Sequence, residues 1–561
     1  MTITIYRPRM RPRDRQFSVG DKSGTQQVVE YPAPTGGLDT AAIKAGRPGN
    51  TALVMDNLIP DSQGVRPRSG SRKVFSLGSA YSSTNKIERL ISFTLTGETF
   101  AATPTSLYAF DENTTPLADT AAPTAAYSSQ TSSDYGAVEM ATAGGKFITL
   151  VNGVNDALIY NGTTFSPVGG GTYTITQAQS DGQGGTSQVA YDTSDWSYGW
   201  AHQGRQYFVE KGTMKAWYLG TNSIQGEAKF LTLAGVFSKS SELLFGTSFS
   251  TDSGAGIDDF NVFVSAEGEV AIYQGTDPSN INTWALKGLF EIGRPLGKNA
   301  HFSIAGDVII ATVDGLVPLS AVLTKDVSEL RLFSLSAAIE PDIDLEIRLA
   351  DPYASAKWKM VKSDHHGLGF LVLPRRNQPE RHLYVVNLRN RAWCRFTGWR
   401  VEDMISLDTH VFFTDGQYVY EGLVTGRDDG EIIQHQLLTA HDNLGSEGRQ
   451  KIIHKAKVNL VTSSHINVHL DIARNNEAPT PVYPEATDTL DYSDAIWGTA
   501  VWDTATWPDY TRPKSNQVVE MSDYDLVDSA AFQVTFATDS NDPLDCEITA
   551  LSLAFTPGAI F

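Results

Sequence analysis

Cysteine is nearly absent from the 561 residues; Cys394 and Cys546 are the only two. A pair so far apart in a chain of this length excludes a disulfide framework and any cysteine-only metal site, and both read as ordinary buried thiols. Long apolar runs are missing as well. No stretch approaches the roughly 20 apolar residues that cross a bilayer as a helix. The opening MTITIYRPRMRPRDR has no apolar core of signal-peptide type, so export by that route is not expected. Sustained helical periodicity is scarce, which directs the fold class toward β structure.

Catalytic signatures are missing in the same way. A phosphate loop needs its glycines, lysine and final hydroxyl at fixed spacing, and the nearest strings, ATAGGKFI and GRPLGKNA, lack both the spacing and the hydroxyl. Neither HExxH nor GxSxG occurs, and the sialidase-type Asp box SxDxGxTW is absent. Asp and Glu are too numerous for a glycosidase pair to be picked out by inspection. The best metal-like group is HINVHLD, where His465, Asn467, His469 and Asp471 share one face of a strand while Ile466, Val468 and Leu470 fill the core. A polar solvent face explains that spacing at no extra cost, and His365-His366 beside a glycine turn carries less signal still. No catalytic residue, metal site or cofactor is therefore expected.

Acidic side chains outnumber basic ones, 64 to 44, and the net charge of −20 argues against wrapping nucleic acid over the whole surface. The sign is uneven. Arg7, Arg9, Arg11, Arg13 and Arg15 alternate with Pro8, Pro12 and others in an extended arm that cannot be helical across its prolines. The arm reads either as a solvated tail or as a tether that docks on an acidic protein surface or on DNA phosphates. Trp497, Trp502 and Trp507 are spaced by five, which suits neither one strand face nor one helical stripe; they turn inward from a loop or meet a partner protein.

From about residue 86 to 424 one unit recurs: a short β-rich run, a Gly, Asn or Asp turn, and a second β-rich run. The second runs centre on Tyr108, Tyr160, Tyr218, Tyr273, Val317, Tyr384 and Val419. Four-stranded propeller blades recur every ~40–50 residues, so this spacing predicts an all-β chain with a propeller of six or seven blades. A β-sandwich, or two stacked, is the competing reading. Residues 1–34 are the basic arm, 35–85 a lead-in to a first blade, and 86–430 the propeller. A loop insertion near 168–195 is rich in Gly, Ser, Thr and Gln. A helical insertion near 326–347 has N-caps at Asp326 and Ser328, apolar Leu330, Leu332, Phe333 and Leu335, and a stop at Pro341. Residues 431–561 alternate apolar and polar positions as a separate antiparallel β domain at the C-terminal end, with the Trp-rich excursion near 471–516 inserted.

The lead-in carries a recognisable pattern. Gly36-Gly37-Leu38-Asp39-Thr40, then Asn57-Leu58-Ile59-Pro60, then Gly64-Val65-Arg66-Pro67-Arg68-Ser69-Gly70, resembles the N-terminal signature of tail nozzle proteins (tail tubular protein B) of short-tailed bacteriophages. Asp39 stands where Asn is more usual, and Pro67 falls inside the arginine segment. The resemblance implies a homo-hexameric virion tube, assembled in the host bacterial cytoplasm. It would dock to a head-to-tail adaptor ring, contact tail fibres or spikes, and pass double-stranded DNA without sequence-specific binding. It brings no catalytic residues. Within the signature, Asn57 and Pro60 would set a turn, Gly64 and Gly70 would permit tight backbone, and Arg66 and Arg68 would reach acidic neighbours. The alternative is a receptor-binding or polysaccharide-degrading tail protein, because propellers and sandwiches serve those ends as well.

Overall fold

The computed structural model of the chain describes residues 26–41, 48–180, 185–252, 257–280, 282–304, 306–350, 358–374, 382–445, 449–463, 465–475, 477, 479–486, 515–522 and 526–560. Two compact units emerge. One comprises Lys73–Leu383 with Arg400–Glu421; the other comprises Met1–Arg72, Tyr384–Trp399 and Gly422–Phe561.

The chain forms a β-propeller, most of it within the first unit, and its blades can be counted from their first strands. These begin at Arg89, Gly136, Trp196, Leu243, His301, Lys359 and Asp403, and each is followed by antiparallel partners. The sequence repeat corresponds to the second and third strands. Tyr108, Tyr160, Tyr218, Tyr273, Val317, Tyr384 and Val419 each lie in the third strand of a successive blade. Seven blades are thus present among the described residues, within the range the spacing predicts.

The blades hold together by burying apolar side chains between neighbouring sheets. Ile91, Phe93 and Phe100 of blade one meet Ile148, Leu150 and Leu158 of blade two. Val138, Met140 and Ile159 of blade two meet Trp196, Phe208 and Trp217 of blade three, where Trp196 stacks on Phe208 at 4.2 Å. Each such large side chain contributes about 1.5–3 kcal/mol on burial. Blade seven then meets blade one through Ile405, Phe412 and Val419 against Leu90, Tyr108 and Phe110, closing the ring.

Blade seven also corrects an expectation. Its strands Asp403–Leu407, His410–Thr414 and Tyr418–Thr425 are completed by Gly70–Ser76, so the end of the lead-in supplies the outer strand of the last blade rather than entering a first one. The physical reason is that Val74 and Phe75 bury against the seam between blades seven and one. Closing a ring with a strand from the far end of the chain leaves few open edges.

Among the described residues blade five has three strands, His301–Ile304, Asp307–Thr312 and Gly315–Pro318. The edge of the third is occupied by the helical insertion. Leu335 N donates to Leu316 O, and the Ser336 hydroxyl accepts from Leu316 N at 3.1 Å. Helix Glu340–Leu349 starts where the sequence placed a stop, because Pro341 sits in its first turn, where the missing N–H has no intrahelical acceptor to lose. Leu332 and Phe333, read as an apolar stripe, are exposed. The 168–195 insertion forms a hairpin, Ile175–Ser180 with Thr186–Ala190.

The second unit pairs two largely antiparallel sheets. One holds Leu58–Pro60, Val65–Pro67, Cys546–Ile560, Arg449–Thr462 and Ser515–Ser522; the other holds Trp393–Thr397, Ala52–Asp56, Ile433–Thr439, Ala530–Thr538 and Val468–Arg474. Tyr31, in strand Gln27–Pro32 paired to Cys546–Ile560 of the first sheet, meets Phe532 in the second edge to face at 5.8 Å. Ala530–Thr538 is buried along its whole length. The β domain expected over 431–561 is therefore larger, because the segments up to residue 72 and at 384–399 supply strands to both of its sheets. Cys394 and Cys546 are buried thiols, as expected.

Candidate functional site

The densest group of perturbed ionisable side chains lies where the first strands of the propeller meet. Arg89 begins the first strand of blade one, Lys359 that of blade six and Asp403 that of blade seven; Asp134 and Lys298 stand just before blades two and five. Arg89 Nη2 donates to Asp134 Oδ1 at 2.7 Å. Lys359 Nζ lies 2.9 Å from Asp403 Oδ1, and Lys298 Nζ lies 2.9 Å from Asp134 Oδ2. Asp403 Oδ2 also accepts from Leu90 N at 2.6 Å. Burial alone would raise the Asp134 carboxyl, but Arg89 and Lys298 hold it well below the usual carboxylate range. Burial lowers the Lys359 ammonium to about 8 against the opposing pull of Asp403. Tyr198 faces His301 at 3.3 Å, and burial raises the phenol while keeping the imidazole neutral, its pKa lowered to about 4. The arrangement cross-links blades across the ring through desolvated charge pairs. Sequence inspection missed it because its members are scattered from residue 89 to 403.

In the second unit, the signature residues converge on one node. Asn57, at φ 59°, is the corner at which the chain leaves Ala52–Asp56 in one sheet and enters Leu58–Pro60 in the other. Its side chain makes four hydrogen bonds: Nδ2 donates to Thr397 Oγ1 and to Gln434 O, both at 2.7 Å, while Oδ1 accepts from Arg68 Nε at 2.7 Å and Thr397 N at 2.8 Å. Arg68 forks onto Asp428, with Nη1 3.0 Å from Oδ1 and Nη2 2.6 Å from Oδ2. It also donates to Thr397 O and Ser69 O, and lies over the Phe396 and Trp399 rings at 5.4 and 4.9 Å. Trp399 Nε1 donates to the same carboxylate at 2.8 Å. His435 Nδ1 lies 2.8 Å from Asn57 O, and burial lowers that imidazole to about 3.

This placement corrects the docking role read for Arg68. Its side chain is 0% exposed and saturated within its own chain, so it is not available to a partner. Arg66 is the opposite case, 44% exposed and only 3.8 Å from Asp61. Pro60 O accepts from Asn387 Nδ2 at 2.8 Å, and Asp61 N and Gly64 O close the turn at 2.8 Å. Gly37 has φ +77° and lies flat against Trp393, whose O accepts from Leu38 N at 2.7 Å. Gly70 passes so close to Arg427 that an added Cβ would stand 2.0 Å from its carbonyl oxygen. Gly36 N donates to Asn50 O, Leu38 is fully buried, and Thr40 follows in an irregular stretch. Arg7, Arg9, Arg11, Arg13, Arg15, Trp497, Trp502 and Trp507 lie outside the described residues.

The metal-like HINVHLD segment keeps Ile466 and Leu470 buried, and no cluster of three metal-ligating side chains occurs among the described residues. A cavity of about 270 Å³ opens beside Tyr31, whose hydroxyl donates to Asp442 at 2.6 Å; Asp442 is the one carboxylate in its described lining. No described helix is long and apolar enough to cross a membrane.

No protein-family profile matches the chain, and no curated protein matches it. Solved structures that resemble it include the WD40 repeats of RRP9, at 9% identity over 64% of this chain and 98% of that one, with a TM-score of 0.34. PorZ, a surface component of the type-IX secretion system of Porphyromonas gingivalis, is 12% identical over 64% of this chain and 42% of its own, also at 0.34. YCF48 bound to D1 peptide is 9% identical over 61% and 92%, with a TM-score of 0.30.

Proposed function

We propose that this propeller chain is a structural subunit of a tail nozzle in a short-tailed bacteriophage. Six copies form a tube that docks to a head-to-tail adaptor ring, contacts fibres or spikes, and conducts the genome during ejection. The observation that carries the reading is the signature segment, in which Gly37, Asn57, Arg68 and Gly70 each occupy a position that its own geometry explains. A segment locked into a node in this way serves as a scaffold, which suits a conduit. The charge supports it as well: copies at −20 each present an acidic surface that repels DNA phosphates and lets a duplex slide.

Electron microscopy of the purified chain tests the proposal. Six-fold rings with a central channel are expected; a protein that stays monomeric, alone and with isolated tails, contradicts it. The rival reading, a polysaccharide-degrading tail protein, has its best location in the cavity beside Tyr31. Hydrolysis there would need a second carboxylate facing Asp442. Shortening of host surface polysaccharide on incubation with the protein would favour that rival.

A further inference from the structure

The five charged side chains at the propeller axis do not balance. Arg89, Lys298 and Lys359 are cations, and only Asp134 and Asp403 oppose them. Of the other titratable groups nearby, Lys211 adds one positive charge and Glu88 one negative, which leaves the excess at one. Tyr198 is kept protonated by burial, His301 is neutral, and Lys211 is a further cation. Glu88, next to Arg89 in the chain, accepts from the Ser133 hydroxyl at 2.6 Å. With its pKa near 8, the Lys359 amine still carries its charge at pH 7. An unopposed charge in a desolvated site is strongly unfavourable.

Donors are in surplus at the same place. Lys298 has three acceptors for its three protons: Asp134 O, Asp134 Oδ2 and Ser197 O. Among the described residues Lys359 is bonded only to the two oxygens of Asp403. Arg89 Nε is buried with no acceptor among the described residues, and Arg89 Nη1 lies 3.7 Å from Asp403, beyond hydrogen-bonding range. Arg89 as a whole is 8% exposed. A buried guanidinium N–H without an acceptor points to a missing acceptor. The Asp134 side chain is 41% exposed, so the cluster meets solvent at that edge and an ion has a route in.

We propose that the propeller axis binds one small monovalent anion of the halide class, held by Arg89 and Lys359. One negative charge removes the excess of one, and a spherical acceptor takes the unused protons of both side chains at once. The ion completes the ring of contacts among blades one, six and seven, so it stabilises the closed propeller. This inference is independent of the tail reading.

Two measurements on the full chain test it. Crystals soaked in sodium bromide should give an anomalous peak within hydrogen-bonding distance of Arg89. Thermal unfolding at pH 7 should show a Tm higher in sodium chloride than in sodium gluconate of equal ionic strength, by roughly 2–4 °C. Lys359→Met removes the excess charge and should abolish the difference between the salts. Equal Tm in the two salts with no bromide peak at Arg89 overturns the proposal, as does a salt difference undiminished in Lys359→Met. If that variant does not fold, the bromide experiment on the unaltered protein decides alone.

Discussion

Arg66 and Arg68 lie two residues apart and have opposite fates. Alternation along a strand would put both on one face, but the strand ends at Pro67 and the chain turns Arg68 inward onto Asp428. The basic pair was legible in the sequence; which member is buried was not, because the partners come from residues 396–428. Arg68→Ala leaves the partly buried Asp428 carboxylate and the buried Asn57 amide without their partner, and should cost about 3 kcal/mol. Arg66→Ala should stay within about 0.5 kcal/mol, and urea denaturation of both variants measures the contrast. The buried histidines give a pH dependence. Unfolded histidine binds a proton near pH 6.5, whereas burial keeps His202, His301 and His435 neutral down to about 4, 4 and 3. The unfolded chain therefore holds more protons in that window. Stability should fall as pH drops from 6.5 toward 4, by about 1.4 kcal/mol per pH unit for each ring. Urea midpoints equal at pH 7 and pH 5 would contradict this.

At the scale of elements, the repeat in the sequence was carried by the second and third strands of each blade. Runs such as FITLV and HVFFT are almost wholly buried, so their apolar character is continuous. The first strands were harder to see because several carry charge or histidine at the axis, as in KMVKS and DMISL, which interrupts the apolar pattern. Strand pairing between residues 26–72 and the C-terminal third left no local trace either, since no spacing rule connects segments hundreds of residues apart. Gly70 offers a direct check on the entry of the closing strand. Gly70→Ala forces a methyl against the Arg427 carbonyl and should lower stability by more than about 2 kcal/mol. Gly49→Ala, with open space around it, should change stability by less than about 0.5 kcal/mol. Thermal melts of the two variants separate the effects.

For the whole molecule, the expectation is an assembly whose charge is sorted by location. Acidic side chains should line the channel of the ring and basic ones should lie at contacts between proteins. A map of the assembled tube with a lumen ringed mainly by Lys and Arg would refute that. Removing residues 1–20 should reduce incorporation into tails while leaving the melting temperature of the body unchanged; normal incorporation would exclude the arm as a tether. The outer strand of blade seven also sets an order of events during synthesis. Gly70–Ser76 leaves the ribosome roughly 340 residues before its neighbour Tyr418–Thr425, which at 5–20 residues per second is a wait of roughly 17–70 s. Through that interval blades one to six can form on the nascent chain while the ring stays open. Closure is then the last step in forming the propeller, and until it happens the waiting strand and the gap it will fill are each free to pair with those of another copy.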